Sequence, residues 1–301
     1  MTTVAQNSGI EWTDHTFNPW WGCSEVSPGC DHCYARTLAK RLHPNLELWG
    51  PKSQRLLFPP KHWNEPLGWN RKAEKVGRRD RVFCASMADV FDNQVDLDEE
   101  RAELWTLIHK TPGLDWLLLT KRVANVARMV PVSWMNGHWP KYVRLGISVV
   151  NQSEADRDID KLVQLPCRNF LSLEPLLGDL DLSSWLAIEP DRNWSWRVKT
   201  KFFEDPQIDW VIVGGESGSG ARPMNPRWAR DLRDQCVAAA VPFMFKQWGE
   251  WAPGANFPEH IPSGESCSFG QDLDDDARVW KVGKKAAGRL LDGRTWDEVP
   301  Q

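Results

Sequence analysis

Tyrosine is almost absent from this chain: two residues, against nineteen tryptophans. Aromatic surface is therefore supplied mostly by indole, which fills cores and also stacks on bases and other flat ligands. Long apolar runs are missing as well. No stretch approaches the roughly 20 residues that span a bilayer. The opening Met1-Thr-Thr-Val-Ala-Gln-Asn-Ser8 lacks the basic and apolar regions of a secretory leader, so the protein is expected in the cytoplasm, without membrane contact. There is no excess of positive charge. With 37 Lys and Arg against 41 Asp and Glu, the net charge is -4, and no global field draws nucleic acid or anionic lipid; a local basic groove stays open. Repeats and low-complexity tracts are missing. So is a second close pair of cysteines, the usual other half of a structural zinc site.

What stands out among the residues present is Cys23-Ser-Glu-Val-Ser-Pro-Gly-Cys30-Asp-His-Cys33. The seven cysteines are odd in number and unevenly spread, which in a reducing compartment favours metal or cluster ligation over disulfides. Three thiolates leave a four-coordinate or four-iron centre one ligand short, as a reactive site requires. Zinc is one reading, with His15, His32 or His43 completing a Cys3His set. An iron–sulfur cluster fits the local clustering and the Pro28-Gly29 turn better. Cys84, Cys167 and Cys236 read as small buried apolar residues; Cys267 carries no reading.

With 301 residues and 41% hydrophobic content, the chain can bury a substantial core. Apolar runs recur at βα spacing: Arg81–Ala85, Asp115–Thr120, Val143–Val149, Asn169–Leu173, Trp210–Val213 and Val241–Phe245, with an earlier strand within Asp14–Trp21. Helical patterns fill the gaps. Asp98 is expected to cap one helix, Ser153 another, and Asn225 a third that has Pro226 at its first position. The alternation predicts an α/β fold: a parallel (β/α) barrel, partial, with six to seven strands. Residues 1–250 form the barrel with its N-terminal cysteine loop, and 251–301 a C-terminal extension packed on it, including the acidic run Asp272 to Asp276. Residues 183–206 read as an insertion.

In parallel barrels the reactive groups sit at the carboxyl ends of strands, and here each end is polar. The clusters are Ser86 to Asp89; Thr120-Lys121-Arg122; Ser148 with Asn151; Ser172 with Glu174; Gly214-Gly215-Glu216 with Arg222; and Lys246-Gln247-Trp248. Together they predict a single polar pocket sharing a face with the cysteine loop. Lys246, directly after an apolar strand, demands a carboxylate partner if buried. Lys246, Glu174 and Glu216 are the candidate catalytic residues. Trp20, Trp21 and Trp248 are candidate stacking walls.

These motifs resemble the radical S-adenosylmethionine superfamily, although its usual cysteine spacing is three and then two residues, against six and then two here. Within that group the chain resembles a phage- and prophage-associated family of poorly defined function. The resembling segments are Asn18–Cys23, Ser27–Ala35, Leu171–Gly178, Val213–Gly218 with Ala221–Pro223, and Phe245–Gly249. The resemblance implies a 4Fe-4S cluster on Cys23, Cys30 and Cys33, with S-adenosyl-L-methionine on the fourth iron. His32 would lie near the adenine. Ser86 and Asp89 would stand where the superfamily holds the methionine amine, and Ser148 and Glu174 near the cofactor. Gly214 and Gly215 are further candidate cofactor contacts. The implied chemistry is reductive carbon–sulfur cleavage and hydrogen abstraction from a substrate, with a nucleobase or nucleic acid as the candidate and an external electron donor. Two alternatives stay open: a metal- or cluster-stabilised phage DNA- or protein-binding protein without catalysis, and a barrel hydrolase using Asp89, Glu174 and Glu216.

Overall fold

A computed structural model describes residues 9–186, 208–257, 260, 262–270 and 278–300. Most of the expected insertion and the acidic run at 272–276 lie outside the described residues. The chain divides into two compact units, one of residues 1–148 and 165–168, the other of 149–164 and 169–301.

The first unit holds β1 (His15–Thr16), β2 (Asp80–Cys84), β3 (Leu114–Thr120) and β4 (Val143–Ser148). They are parallel neighbours in chain order, with His15 opposite Val82, Val82 opposite Trp116 and Trp116 opposite Val143. Val82, Phe83 and Cys84 on β2 and Trp116, Leu117 and Leu118 on β3 are buried in consecutive runs. Such runs arise when both faces of a parallel sheet are covered. The longer helices are α1 (Tyr34–Leu42), α2 (Glu65–Val76) and α3 (Asp98–Lys110), with short ones at Pro60–Trp63 and Val126–Met129. Trp20–Trp21 pairs antiparallel with Leu56–Leu57 and draws that segment back beside the cysteine loop.

The second unit holds α4 (Gln152–Val163), all but the first residue of β5 (Arg168–Leu173), β6 (Val211–Gly214), α5 (Pro226–Ala238) and β7 (Phe243–Gln247), with β5, β6 and β7 parallel. The fold is therefore α/β, with the seven parallel strands of a partial barrel. Residues 251–301, expected as an extension, belong to this unit. They supply an antiparallel sheet of β8 (Trp251–Pro253), β9 (Ser266–Ser268) and β10 (Arg278–Lys281), with β10 in the middle. The tail then pairs with β7: Asp297 lies opposite Met244, and the Phe245 N–H donates to the Trp296 carbonyl at 3.0 Å.

Two of the three expected caps move. Asp98 is the first residue of α3, after a 3-10 turn, and its carboxylate pairs with Arg101 instead of capping. Asn151, not Ser153, caps α4, accepting from the Glu154 N–H at 3.0 Å. Asn225 caps α5 as expected, accepting from the Arg227 N–H at 3.0 Å.

Candidate functional site

The cysteine loop begins where β1 leaves its sheet. Gly22, with φ +116°, makes the turn; a Cβ there would stand 2.5 Å from the Leu48 carbonyl and 2.7 Å from Arg55 Cδ. Only glycine fits that backbone and that space. Its N–H donates to Met87 O at 3.0 Å, and the Cys23 carbonyl accepts from the Gly50 N–H at 2.9 Å, so Cys23 is stitched between two segments. Ser27 Oγ accepts from the Gly29 N–H and starts a 3-10 turn over Pro28–Cys30. The Cys33 N–H then donates to Cys30 O at 3.3 Å, and α1 starts at Tyr34. Cys23 and Cys33 both pack on one apolar cluster of Ala35, Ala39, Leu48, Trp49 and Met87. Cys30 sits one turn ahead of Cys33, and His32 is exposed.

Beneath Cys23 lies a buried ionic network. Asp89, after β2, accepts from Thr120 Oγ1 at 2.8 Å, from the Lys121 N–H at 3.1 Å and from Arg122 Nη1 at 2.9 Å. Arg122 reaches on to Cys23 Sγ at 3.5 Å and to Ser24 O at 2.7 Å. Arg55 lies alongside, donating to Asp92 at 2.8 Å and to Ser24 Oγ at 3.1 Å. Arg101 holds the carbonyls of Val90 and Asp92, each at 2.9 Å. The Asp89 carboxylate is thus buried and committed, and it positions Arg122 against Cys23 instead of facing an open cavity. Ser86 is held by Asn18, whose Nδ2 donates to its Oγ at 3.2 Å, and its carbonyl accepts from Tyr34 Oη at 2.9 Å. Ser148 is buried at the end of β4.

Burial pushes the Cys23 thiol up to about 11; Asp89 adds to the rise and Arg122 opposes it. Stability resting on the neutral thiol is complete below the ordinary value of 9.0 and is lost as pH climbs towards 11. In mildly alkaline buffer, iodoacetamide should modify Cys30 and Cys33 well before Cys23, as read by mass spectrometry of timed digests. Equal rates would show that the network does not protect Cys23.

The second unit carries its own polar strand ends. Lys246 on β7 finds the carboxylate its burial demanded: Nζ lies 3.0 Å from Glu174, with the side chains 18% and 13% exposed. Gly214 makes room for that carboxylate, since a Cβ there would stand 2.3 Å from Glu174 Oε1. Glu216 is committed to Arg222, which donates from Nε at 2.8 Å, from Nη2 at 2.6 Å and from its backbone N–H at 2.8 Å. Gly215 is buried against Trp248, its N–H donating to Gln247 O at 2.9 Å. A separate acidic hollow, lined by Gln152, Asp156, Asp179, Asp181 and Trp185 among others, includes none of the residues singled out from sequence.

Two of the expected stacking walls are core. Trp20 is 0% and Trp248 1% exposed. Alternation along the short Trp20–Trp21 strand turns Trp20 inward and leaves Trp21 partly open. Trp248 is covered by the tail, its Nε1 donating to Leu290 O at 2.7 Å. Cys84 and Cys236 are buried as expected; burial holds the Cys84 thiol well above its usual range and lifts that of Cys236 to about 12. Cys167, expected buried, is only partly so. His15 is bound to Asp80 at 3.2 Å and stacked on Trp69, which commits it away from the cysteines.

Donor chemistry and arrangement give different answers about a metal or cluster. Three free thiols and an arginine donating to one sulfur suit a thiolate-bound centre. Yet among the described residues no group of three or more His, Cys, Asp or Glu is gathered closely enough to hold an ion. The side chains as placed do not form a finished cradle.

The fold and this loop define a parallel α/β protein with a three-cysteine segment anchored beside its first strand. Residues 7–300 match the model of a family described as a protein of unknown function (DUF5131), and the chain belongs to that family. The description names no activity and no phage origin. No curated protein and no solved structure matches. No helix among the described residues is long and apolar enough to cross a membrane.

Proposed function

We propose that this protein is a radical S-adenosylmethionine-type iron–sulfur enzyme, with Cys23, Cys30 and Cys33 as the cluster ligands. The observation that supports the reading is the anchored loop: two of the three cysteines share one apolar cluster, the third sits a turn away, and a buried arginine donates to Cys23. When bound, the cluster and S-adenosylmethionine would supply reductive carbon–sulfur cleavage and a route to hydrogen abstraction. The chain's own contribution is placement. Gly22 sets the direction of Cys23, Asp89 orients Arg122, and Arg122 favours the thiolate of Cys23 over its thiol. Because the sulfurs are not gathered into a three-ligand group as they stand, loading requires the loop to draw together and Cys23 to lose its proton.

The reading rests on the first unit alone. Asp89 and Glu216 are each locked by an arginine, which disfavours the hydrolase alternative. The non-catalytic alternative also needs a metal or cluster on the cysteines, so the spacing of the sulfurs does not divide it from the proposal. Anaerobic reconstitution with iron, sulfide and reductant separates the two. Under the proposal the protein turns brown, its reduced electron paramagnetic resonance signal changes on adding S-adenosylmethionine, and 5′-deoxyadenosine is released. Cys30→Ala abolishes all three while leaving the fold intact by circular dichroism. A colourless protein holding zinc, or full iron content in Cys30→Ala, refutes it.

A further inference from the structure

The segment that follows the cysteine loop has a charge balance opposite to that of the whole chain. Between Tyr34 and Trp63 stand six basic residues, Arg36, Lys40, Arg41, Lys52, Arg55 and Lys61, against one acidic residue, Glu47, in a chain of net charge -4. Two of the six are spoken for: Arg36 pairs with Glu25, and Arg55 is buried on Asp92. Lys40, Arg41, Lys52 and Lys61 are exposed, and they form no ion pair among the described residues. The net negative charge already favours solubility, so solubility alone does not account for this local surplus.

A row of rings runs through the same segment. Trp21, two residues before Cys23, lies 5.6 Å from His43 and 5.9 Å from Phe58, and Phe58 lies 4.4 Å from His62. All four rings are only partly buried, but His62 is already stacked on Phe17 at 4.9 Å, with its Nε2 2.9 Å from Asn18 O, so it supports Phe58 and offers no open face. The cations flank them: Arg41 is two residues before His43, and Lys61 adjoins His62. Lys52 lies two residues after Gly50, whose N–H donates to the Cys23 carbonyl at 2.9 Å. Leu42 and Leu57, 48% and 47% exposed, add apolar surface to the same segment.

We propose that this face binds single-stranded nucleic acid, with Trp21, His43 and Phe58 as the stacking row and Lys40, Arg41, Lys52 and Lys61 as phosphate contacts. Cations tracking a backbone beside rings open to unpaired bases form the physical basis of single-strand recognition. Charge complementarity selects a polyanion over an apolar protein partner, and the rings select exposed bases over a duplex, whose bases are already stacked. The inference rests on the proposed function only in giving that chemistry a substrate class. The binding itself depends on charge and rings, and it survives if the cluster reading fails.

The test is fluorescence anisotropy of a labelled oligothymidine of about a dozen nucleotides, titrated with the full chain both metal-free and after anaerobic loading. Binding is expected in both states. The plot of log affinity against log salt should have a slope of about -3, from four phosphate contacts on a single strand. Lys40→Glu, Arg41→Glu and Lys61→Glu combined should weaken binding by at least about tenfold. Phe58→Leu, and separately Trp21→Leu, should weaken oligothymidine by about tenfold while leaving heparin binding unchanged, with folding checked by circular dichroism. Arg71→Glu, Lys72→Glu and Lys75→Glu, on the exposed face of α2, serve as the charge control and should have a much smaller effect. The proposal is overturned by no binding at low salt, by an α2 control that weakens binding as much as the loop triple, or by ring variants that affect heparin and oligothymidine alike. Absence of 5′-deoxyadenosine with binding intact refutes the chemistry and leaves this surface standing.

Discussion

Replacing Arg122 by methionine is expected to lower unfolding free energy by about 3 kcal/mol, among the larger effects open to a single substitution here. The arginine and Asp89 side chains are 6% and 8% exposed, with 2.9 Å between them. Removing the cation leaves a buried carboxylate with its other donors, Thr120 and the Lys121 N–H, but no compensating charge. The double variant with Asp89→Asn should recover part of the loss, because the uncompensated charge goes with it. Urea denaturation of the four proteins of the cycle measures this; a loss below about 1 kcal/mol for Arg122→Met would mean the pair is solvated in solution. The same substitution removes the group that favours the Cys23 thiolate, so the thiol should be driven further up from about 11. If the cysteines take up iron, Arg122→Met should do so more slowly at neutral pH.

The second large effect belongs to Gly215. A Cβ there would lie 2.0 Å from the Trp248 carbonyl oxygen, a backbone atom with nowhere to move. Gly215→Ala should therefore cost about 3 kcal/mol or more, by forcing β6 and β7 apart at their carboxyl ends. Gly214→Ala is the informative contrast. Its Cβ meets the Glu174 carboxylate at 2.3 Å, the end of a side chain that can swing aside once its ion pair with Lys246 is broken. Thermal and urea unfolding should rank Gly215→Ala as the more damaging. The reverse order would mean that the Glu174–Lys246 pair is stiffer than the strand ends that carry it.

The strands were legible because a doubly covered parallel sheet writes itself as apolar runs. Asp115–Thr120 was expected and Leu114–Thr120 is found; Val143–Val149 was expected and Val143–Ser148 is found. That Lys246 needs a carboxylate was legible for a related reason, since a lysine emerging from an apolar strand must be compensated; that Glu174 is the partner came only with the structure. The arginines were not. Lys121 and Arg122 look alike as neighbours, yet Arg122 is buried and Lys121 only partly so. Arg55 makes half of its hydrogen bonds, and Arg101 two of three, to backbone carbonyls, partners that leave no trace in side-chain spacing. Trp20 and Trp248 misled because a tryptophan beside a functional motif reads the same whether it lines a wall or fills the core. Whether the three sulfurs converge was beyond what spacing can say, since six intervening residues can bend towards a common centre or away from it.

The pairing of the tail with β7 has a consequence for how the protein is made. Until residues 296–298 have left the ribosome, the strand carrying Lys246 lacks the neighbour that supplies Asp297 opposite Met244 and the Trp296 carbonyl to Phe245. A nascent chain halted before that point displays a naked row of peptide groups, the template on which polypeptides stick to one another. The second unit therefore completes its sheet only after residue 298 has been synthesised, more than fifty residues after the strand itself, and chaperone dependence should concentrate in that interval.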